Sequence, residues 1–452
     1  MGKGLAGICS FQRKHNPNME GRETMQTSLK AIAEKAKRFS KYRFQDLYGM
    51  LNVNLLTEAW KKLNKKSAPG VDGTNADDYA KNLESNIQQV VDELKNKRYH
   101  AKQVKRVYIP KGEGKLRPLG LPSTVDKVVQ RAAADILEAI YEQDFLPNSY
   151  GYRSNRGPQM AVIDLTKELQ YGGYNYIVEA DIRAFFDNID HEWLIKMLEQ
   201  RIDDQAFIRL IRKWLKAGIL EQDGKILHPI TGSPQGGVIS PIFANVCLHH
   251  ALDLWFEKVV KRHCEGKAYM CRFADDFVCA FQYKRDAERF YEVLGKRLNK
   301  FSLELAPEKT RIIEFGPYQK ERDSFEFLGF EFRWGKSRKG KNVVKRRTSR
   351  KKLRKSVVNF TEWCKRARNN RLREIFHQLN SKLRGYRNYY GLIGNSASLG
   401  QFYYQARRIL FKWLNRRSQR RSIDWEEFIK LWQRYQVPRP CIIQSRQMEL
   451  SY

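Results

Sequence analysis

The stretch that decides the fold is Ala268–Phe281, which reads AYMCRFADDFVCAF. Two apolar-rich runs, Tyr269–Phe273 and Phe277–Phe281, flank the adjacent aspartates Asp275 and Asp276. Phe, Val, Tyr and Cys suit a pleated, half-buried surface, and an Asp pair between two such runs predicts the turn of a β-hairpin. Aspartate is also common in ordinary solvated turns. Because crowded carboxylates repel one another unless a cation lies between them, the rest of the chain has to decide between these two interpretations.

A second acidic stretch lies upstream, in YNYIVEADIRAFFDNID. Its apolar strand, Tyr176–Val178, is predicted to end at Asp181, and a carboxylate there is costly unless it is paired or liganded. Asp187 and Asp190 are predicted to cap or solvate the helix that begins at His191. A strand-end carboxylate and a hairpin doublet together form the arrangement that holds two divalent metals for nucleotidyl transfer. Oxygen ligands of this kind suit Mg²⁺.

Two further stretches are suited to phosphate. Lys111, Lys115 and Arg117 surround a predicted hairpin in VKRVYIPKGEGKLRPLGLPS, where three cations can grip a triphosphate and Arg117 can do so bidentately. An exposed basic hairpin with no ligand has the same pattern. GSPQGG, residues Gly232–Gly237, is predicted to open a helix. Such an entrance lets a ligand approach the backbone, although an ordinary loop-to-helix turn also fits.

The composition narrows the classes of molecule that the chain is expected to bind. The 452 residues carry 84 Lys and Arg against 50 Asp and Glu, a net charge of +34, and a chain this basic is expected to bind nucleic acid. No apolar run is long enough to span a bilayer, so we expect no membrane partner. The first residues show no apolar region with a small-residue cleavage site, so we expect no secretory signal. Seven cysteines without a CxxC pair favour a reducing cytoplasm.

The last part of the chain has two notable patterns. FEFLGFEF, Phe325–Phe332, alternates and is predicted to be one strand with a central Leu–Gly. Residues 336–355 hold twelve Lys or Arg and no acid, which is typical either of a solvated linker or of a site for the phosphate backbone. Beyond them the periodicity predicts helices, with most aromatic side chains in the core.

The order of these motifs resembles a reverse transcriptase. It runs IPKGEGKLRPLGLP, ADIRAFFDNIDH, GSPQGGVISP, FADD, APEKT and FLGF. The spellings are similar to those of group II intron reverse transcriptase/maturases of the bacterial type, and RGYRNYYG, Arg384–Gly391, resembles the intron-binding maturase region called domain X. The resemblance covers roughly Tyr42 to Trp432.

The resemblance implies a role for each matching residue. Asp181 and Asp275 would ligate two Mg²⁺ ions, for which Mn²⁺ can substitute, with help from the Ile182 backbone carbonyl; Asp276 would complete the acidic cluster. The incoming nucleotide would meet Phe186, the gate that excludes a 2′-OH, and Gln235 would contact that nucleotide or its template base. Lys111, Lys115 and Arg117 would contact the triphosphate, and Lys309, near the leaving phosphate, is a candidate general acid. Leu328 and Gly329 would form the primer grip.

The implied fold is α+β, a right-hand polymerase of fingers and palm with an antiparallel palm sheet, followed by a helical thumb/maturase domain. The expected boundaries are 1–40 for an N-terminal tail and extension helix, 41–175 for fingers with the start of the palm, 176–335 for the palm, 336–435 for a basic linker and the thumb/maturase domain, and 436–452 for a C-terminal tail.

The implied function is RNA-directed DNA synthesis combined with intron splicing and retrohoming. The expected partners are group II intron RNA, an RNA template–DNA primer duplex, target DNA and dNTPs, in the bacterial cytoplasm, nucleoid or ribonucleoprotein. Phe273 stands where relatives most often have Tyr, which removes a hydroxyl and keeps the aromatic wall. The chain also lacks the Cys pairs of the HNH-type endonuclease that ends many relatives, so we expect no endonuclease.

Three alternatives stay open. One is a maturase that acts only as an RNA-binding splicing cofactor, against which the intact aspartates argue. Another is a domesticated relative that acts in DNA repair, phage defence or CRISPR spacer acquisition. The third is an RNA-dependent RNA polymerase, which would not want Phe186 as a sugar gate.

Overall fold

The computed structural model describes residues 17–112, 115–228, 231–232, 236–318, 323–417 and 423–444, and the side chains of all of these except 17–27, 111–112 and 115. The helices are α1 Pro17–Arg38, α2 Val53–Lys62, α3 Ala76–Lys81, α4 Leu83–Lys95, α5 Thr124–Tyr141, α6 Pro158–Tyr171, α7 His191–Leu198, α8 Gln205–Leu215, α9 Ser240–Leu248, α10 Lys261–His263, α11 Lys284–Asn299, α12 Arg350–Ala367, α13 Leu372–Tyr390, α14 Ser396–Leu414 and α15 Trp425–Arg434.

The strands are short and mostly antiparallel. They are β1 Val104–Gly112, β2 Lys115–Leu121, β3 Tyr176–Arg183, β4 Ile219–Leu220, β5 Ile226–Leu227, β6 Ala268–Phe273, β7 Asp276–Phe281, β8 Glu304–Leu305, β9 Arg311–Glu314, β10 Ser324–Phe327, β11 Phe330–Lys336 and β12 Asn342–Thr348.

The chain forms two compact units. Unit 1 contains the described residues up to Phe145 together with Phe186–Cys247, and unit 2 contains Leu146–Phe185 together with those from Leu248 onward. Leu146–Phe185 joins the later part of the chain because its strand, β3, pairs with β7 and β9. The units are therefore discontinuous in sequence, whereas the predicted fingers, palm and thumb are contiguous segments whose boundaries stay a prediction.

Unit 1 has a four-stranded sheet in the order β2-β1-β4-β5. The basic hairpin is confirmed: β1 and β2 pair antiparallel along Lys105↔Leu121 to Gly112↔Lys115. The amphipathic helices α2, α4, α5 and α8 bury their apolar faces. Asp204 caps the N-terminus of α8, where its side chain accepts hydrogen bonds from the Ala206 and Phe207 amides. Helices α3 and α4 are consecutive, and Asn82 alone lies between them.

Unit 2 holds the sheet that carries the acidic motifs. Its order is β6-β7-β3-β8, with β9 also pairing with β3, and every pairing is antiparallel. A second sheet, β10-β11-β12, packs into the same apolar core through Phe325, Phe327, Phe330 and Phe332. Phe330 and Phe332 are fully buried because the alternation of the sequence places them on one face of β11.

The predicted single strand over Phe325–Phe332 is wrong. The structure folds it into a hairpin, β10 and β11, whose two-residue turn is Leu328–Gly329 with φ of 51° and 78°. Two positive φ values are what a tight hairpin turn requires, and Gly329 adopts one without steric cost. Much of the basic run at 336–355 forms regular structure, because Asn342–Thr348 is β12 and Arg350 begins α12.

The C-terminal helices form their own core, as expected. Helices α12 to α15 bury aromatic and aliphatic side chains around Phe376, Phe402, Leu410 and Phe428. The predicted α+β class, with an antiparallel sheet followed by a helical part, is thus confirmed. Within the part of the chain that the structure describes, no helix has the length and apolarity to cross a bilayer.

Candidate active site

The doublet lies at the end of the β6–β7 hairpin, as predicted. Phe273 pairs with Asp276, so Ala274 and Asp275 alone form the turn. Ala274 has a φ of 57°, a left-handed conformation that is costly for a residue with a Cβ. The strands behind the turn are anchored by buried Cys271 and Phe277, and this anchoring holds Asp275 and Asp276 at the rim of the sheet.

Asp181 comes to the same place from the neighbouring strand. In the register of β3 and β7 it lies directly opposite Asp276. Buried Val178 and Ala180 fix β3 in the centre of the sheet, and the Ala306 amide donates to the Asp181 carbonyl over 2.9 Å. The Lys309 ammonium forms an ion pair with the Asp181 carboxylate. The two acidic stretches and the predicted leaving-group lysine therefore meet, although their catalytic roles stay a prediction.

The pKa of Asp276 reflects the crowding of carboxylates at this end of the sheet. Its pKa is raised from 3.8 to about 7, first by loss of hydration and then by the charges of Asp275, Asp181 and Glu179, while Lys352 lowers it. Asp276 is solvent-exposed at the start of β7, and the neighbouring aspartates lie beside it at the rim of the sheet. Mutual repulsion among these groups is what a bound cation relieves.

The carboxylates fit a hard divalent cation. Their oxygens are the donors that Mg²⁺ prefers, and Ile182, whose carbonyl is the predicted helper, follows Asp181 in β3 and pairs with Leu305. Among the described residues, no group of three or more His, Cys, Asp or Glu is already gathered as a metal cage. The Asp181 carboxylate is paired with the Lys309 ammonium. The carboxylate donors present are of the type that suits Mg²⁺.

The predicted primer grip is braced by the maturase-like motif. The Tyr389 hydroxyl donates to the Leu328 carbonyl over 3.0 Å, and the rings of Tyr389 and Tyr390 pack on Phe330. A Cβ on Gly329 would lie 3.0 Å from the Tyr390 hydroxyl oxygen. Both tyrosines belong to RNYYG at the end of α13, so this motif supports the Leu328–Gly329 turn.

The remaining predicted residues belong to unit 1. Arg117 is exposed on β2 opposite Ile109, and Phe186 is half-buried in a 3-10 turn. Asp190 caps α7 as predicted, accepting from the Trp193 amide over 2.8 Å. The side chains of Lys111 and Lys115, and the whole of Gln235, lie outside the described residues.

The glycine-rich entrance packs against the chain itself. A Cβ on Gly236 would lie 2.9 Å from the Gly120 carbonyl oxygen, and one on Gly232 would lie 2.9 Å from the Asp187 carbonyl oxygen. Both glycines have positive φ. At these two positions glycine lets backbone segments of the chain approach one another, whereas the sequence left both a ligand approach and an ordinary loop-to-helix turn open.

Sequence reasoning did not single out three residues around the turn. Arg272 donates to the Ala274 carbonyl and to Asp253, and the loop at Gly151 touches Ala274. Arg272 could have been found as the one charged residue of the apolar strand Ala268–Phe273. Nothing in the sequence pattern marks Asp253 or Gly151.

Comparison with known proteins decides the family. Residues 109–332 match the reverse transcriptase (RNA-dependent DNA polymerase) family, and residues 342–432 match the maturase-specific domain of group II introns. The group II intron-encoded protein LtrA of Lactococcus lactis subsp. cremoris is 30% identical over 83% of this chain and 74% of its own length. The chain belongs to the group II intron-encoded reverse transcriptase/maturases.

Two further similarities accompany this result. Protein YkfC of Escherichia coli (strain K12) is 33% identical over 66% of this chain and 85% of its own length. A telomerase structure from Candida albicans aligns over 84% of this chain and 71% of its own, with a TM-score of 0.41 and 14% identity. As a member of its family the chain is an RNA-directed DNA polymerase with a maturase domain, which confirms the resemblance predicted from the motifs. Its substrates are nucleic acids, its polymerase depends on a divalent metal, and its maturase partner is intron RNA.

Proposed function

We propose that this reverse transcriptase/maturase copies RNA by two-metal nucleotidyl transfer at Asp181, Asp275 and Asp276, and that it thereby supports retrohoming of its intron into target DNA. The observation that carries the proposal is the register that sets Asp181 opposite Asp276, one residue from Asp275. Two Mg²⁺ ions, when bound, would activate the primer hydroxyl and neutralise the triphosphate and leaving group.

The chain's own residues hold and orient the reactants. Asp181 and Asp275 offer carboxylate oxygens at adjacent strand ends, and Asp276 adds a third beside them. Lys309 keeps an ammonium at Asp181, where it can donate a proton to the leaving phosphate of a dNTP. The Leu328–Gly329 turn, supported by Tyr389, presents backbone groups for the primer end.

In this proposal the residues that the resemblance implies contact the incoming nucleotide. Arg117 and the two lysines of the β1–β2 hairpin bind the triphosphate, Gln235 contacts the nucleotide, and Phe186 excludes a 2′-OH. We retain the boundaries 41–175, 176–335 and 336–435 for fingers, palm and thumb/maturase regions, with tails at 1–40 and 436–452. A bacterial cytoplasmic ribonucleoprotein is the setting that suits these partners.

The maturase role has a surface to match. Along α14 and α15, Arg407 lies over the ring of Trp425 at 5.2 Å and Arg408 over that of Tyr404 at 5.6 Å. Tyr404 and Trp425 are exposed, and Lys412 borders the same depression. Guanidinium planes and aromatic faces stack on unpaired bases, so we assign intron RNA to this surface.

The test is primer extension on an RNA template with Asp275→Ala. Synthesis should be abolished while binding of the primer–template, measured by fluorescence anisotropy, is kept. Asp323→Ala, which removes an exposed carboxylate of the same unit, is the control and should extend normally. Retained synthesis by Asp275→Ala would refute the two-metal assignment, and co-purified RNA without a group II intron would refute the maturase partner.

A further inference from the structure

The residue before the catalytic aspartate is held in a conformation it does not prefer. Ala274 is left-handed, with a φ of 57°, and its side chain is almost fully buried. Non-glycine residues stay in this region only when their surroundings over-determine it. Since the backbone of Ala274 sets the direction of Asp275, whatever holds Ala274 also aims the carboxylate.

One contact comes from a buried ion pair. Arg272 and Asp253 are both 0% exposed, and the guanidinium meets the carboxylate bidentately, with Nε–Oδ1 at 2.7 Å and Nη2–Oδ2 at 2.5 Å. The remaining Nη1 donates to the Ala274 carbonyl over 3.0 Å. Well-packed apolar residues often replace a buried ion pair without loss of stability. An apolar pair cannot replace the hydrogen bond that Arg272 donates to the Ala274 carbonyl.

Asp253 is itself fixed by an irregular helix. It ends a wide turn, His249–Asp253, with five-residue hydrogen-bond spacing, of the kind that often occurs at functional sites. Arg297 on α11 donates to the His250 and Ala251 carbonyls over 3.0 and 2.8 Å, so the widened turn has outside support.

The second contact is backbone against backbone. A Cβ on Gly151 would lie 2.2 Å from the Ala274 amide nitrogen and 2.9 Å from its Cα. Two hydrogen bonds tie the loop to β6 just before Gly151, because Arg272 N donates to the Asn148 carbonyl and Tyr150 N donates to the Arg272 carbonyl. Neither partner is a flexible side chain, so a larger residue at 151 must displace the turn.

We propose that Gly151, Arg272 and Asp253 are positioning residues that act through Ala274 to aim Asp275. The inference rests on the proposed metal-binding role of Asp275. Misplacing a reacting group by about 1 Å can cost about 100-fold in rate. Substituting any of these three residues should therefore lower turnover, although none of them contacts the substrate.

The primary test is Gly151→Ala in the full chain, with Gly295→Ala as the matched control. Gly295 lies in unit 2, as Gly151 does, and a Cβ at position 295 would meet no atom within 4 Å. We expect Gly151→Ala to lower kcat by about 10- to 100-fold with KM for dNTP little changed, and to weaken Mn²⁺ binding measured by electron paramagnetic resonance. Gly295→Ala should match the wild type in all three measurements.

A paired variant, Arg272→Met with Asp253→Leu, keeps apolar packing and removes the donor to Ala274. It should melt near the wild-type temperature and show the same loss of kcat. Wild-type kcat and Mn²⁺ affinity in a folded Gly151→Ala or paired variant would overturn the inference, and so would unfolding of both, since the contacts would then be structural only. Asp275→Ala in the same assays separates the two proposals, because its retained synthesis would overturn the metal-binding role itself.

Discussion

Replacing Asp276 by Asn should make the protein more stable while it impairs synthesis. The pKa of Asp276 is raised from 3.8 to about 7 by lost hydration and by Asp275, Asp181 and Glu179. A carboxyl whose pKa is higher in the folded state binds more protons there than in the unfolded state. Its ionisation therefore destabilises the fold as pH rises from about 4 to about 7.

The magnitude follows from that pKa. A change from 3.8 to about 7 corresponds to about 4 kcal/mol of differential interaction between the two protonation states. Asp276 is solvent-exposed, and solvent screens exposed charges strongly. We therefore expect Asp276→Asn to raise the free energy of unfolding by about 1–2 kcal/mol at pH 8.

The assay is urea denaturation in EDTA at pH 8 and at pH 4. The increase in the free energy of unfolding should be present at pH 8 and absent at pH 4. In buffer with Mg²⁺ in place of EDTA, the difference between variant and wild type should be smaller, because the cation neutralises the wild-type carboxylates. Asp323→Asn, at an exposed carboxylate of unit 2, should change stability little at either pH. If Asp276→Asn is no more stable at pH 8, or if its gain is the same at both pH values, the carboxylates do not repel as argued.

Three further predictions concern other parts of the protein. Gly329→Ala should cost about 1–2 kcal/mol in urea unfolding and slow extension, because its Cβ meets the Tyr390 hydroxyl; Gly340→Ala shares a positive φ in open space, and equal activity loss in both would contradict the contact. Phe186→Val should raise kcat/KM for ribonucleotides relative to dNTPs, and unchanged sugar discrimination would refute the gate. Gln substitutions at Arg407, Arg408 and Lys412 on α14 should lower the salt dependence of intron RNA binding by about one log–log slope unit per charge and leave homopolymer extension unchanged. Equal losses of intron RNA binding and of homopolymer extension would show that this surface binds only the primer–template.

The local features of the site were predictable because each depends on neighbours in sequence. The β6–β7 hairpin follows from two apolar runs around Asp275 and Asp276, and the β1–β2 hairpin from KGEGK. The helix that begins at His191 has a capping aspartate, Asp190, in the expected place. Such elements are specified by side-chain period and by turn and cap chemistry.

The error over Phe325–Phe332 arose because one sequence pattern permits two backbone conformations. FEFLGFEF alternates over its whole length, and an alternating run suits one long strand or two strands about a tight turn. The choice depended on the pairing of β11 with both β10 and β12 and on the Phe330 contacts of Tyr389 and Tyr390. The sequence also did not reveal which segments approach the glycines at 232 and 236, because the carbonyls that they accommodate come from distant parts of the chain.

The sequence by itself determined that this chain is a basic, nucleic-acid-binding α+β protein with the ordered motifs of a reverse transcriptase, because charge, side-chain period and motif order are properties of the chain. Only the tertiary structure decided that Asp181 lies opposite Asp276 with Lys309 at its carboxylate. It also decided that Ala274 is held by Arg272 and Gly151. Those contacts join residues far apart in sequence, and the sheet register and close packing that create them exist only after folding.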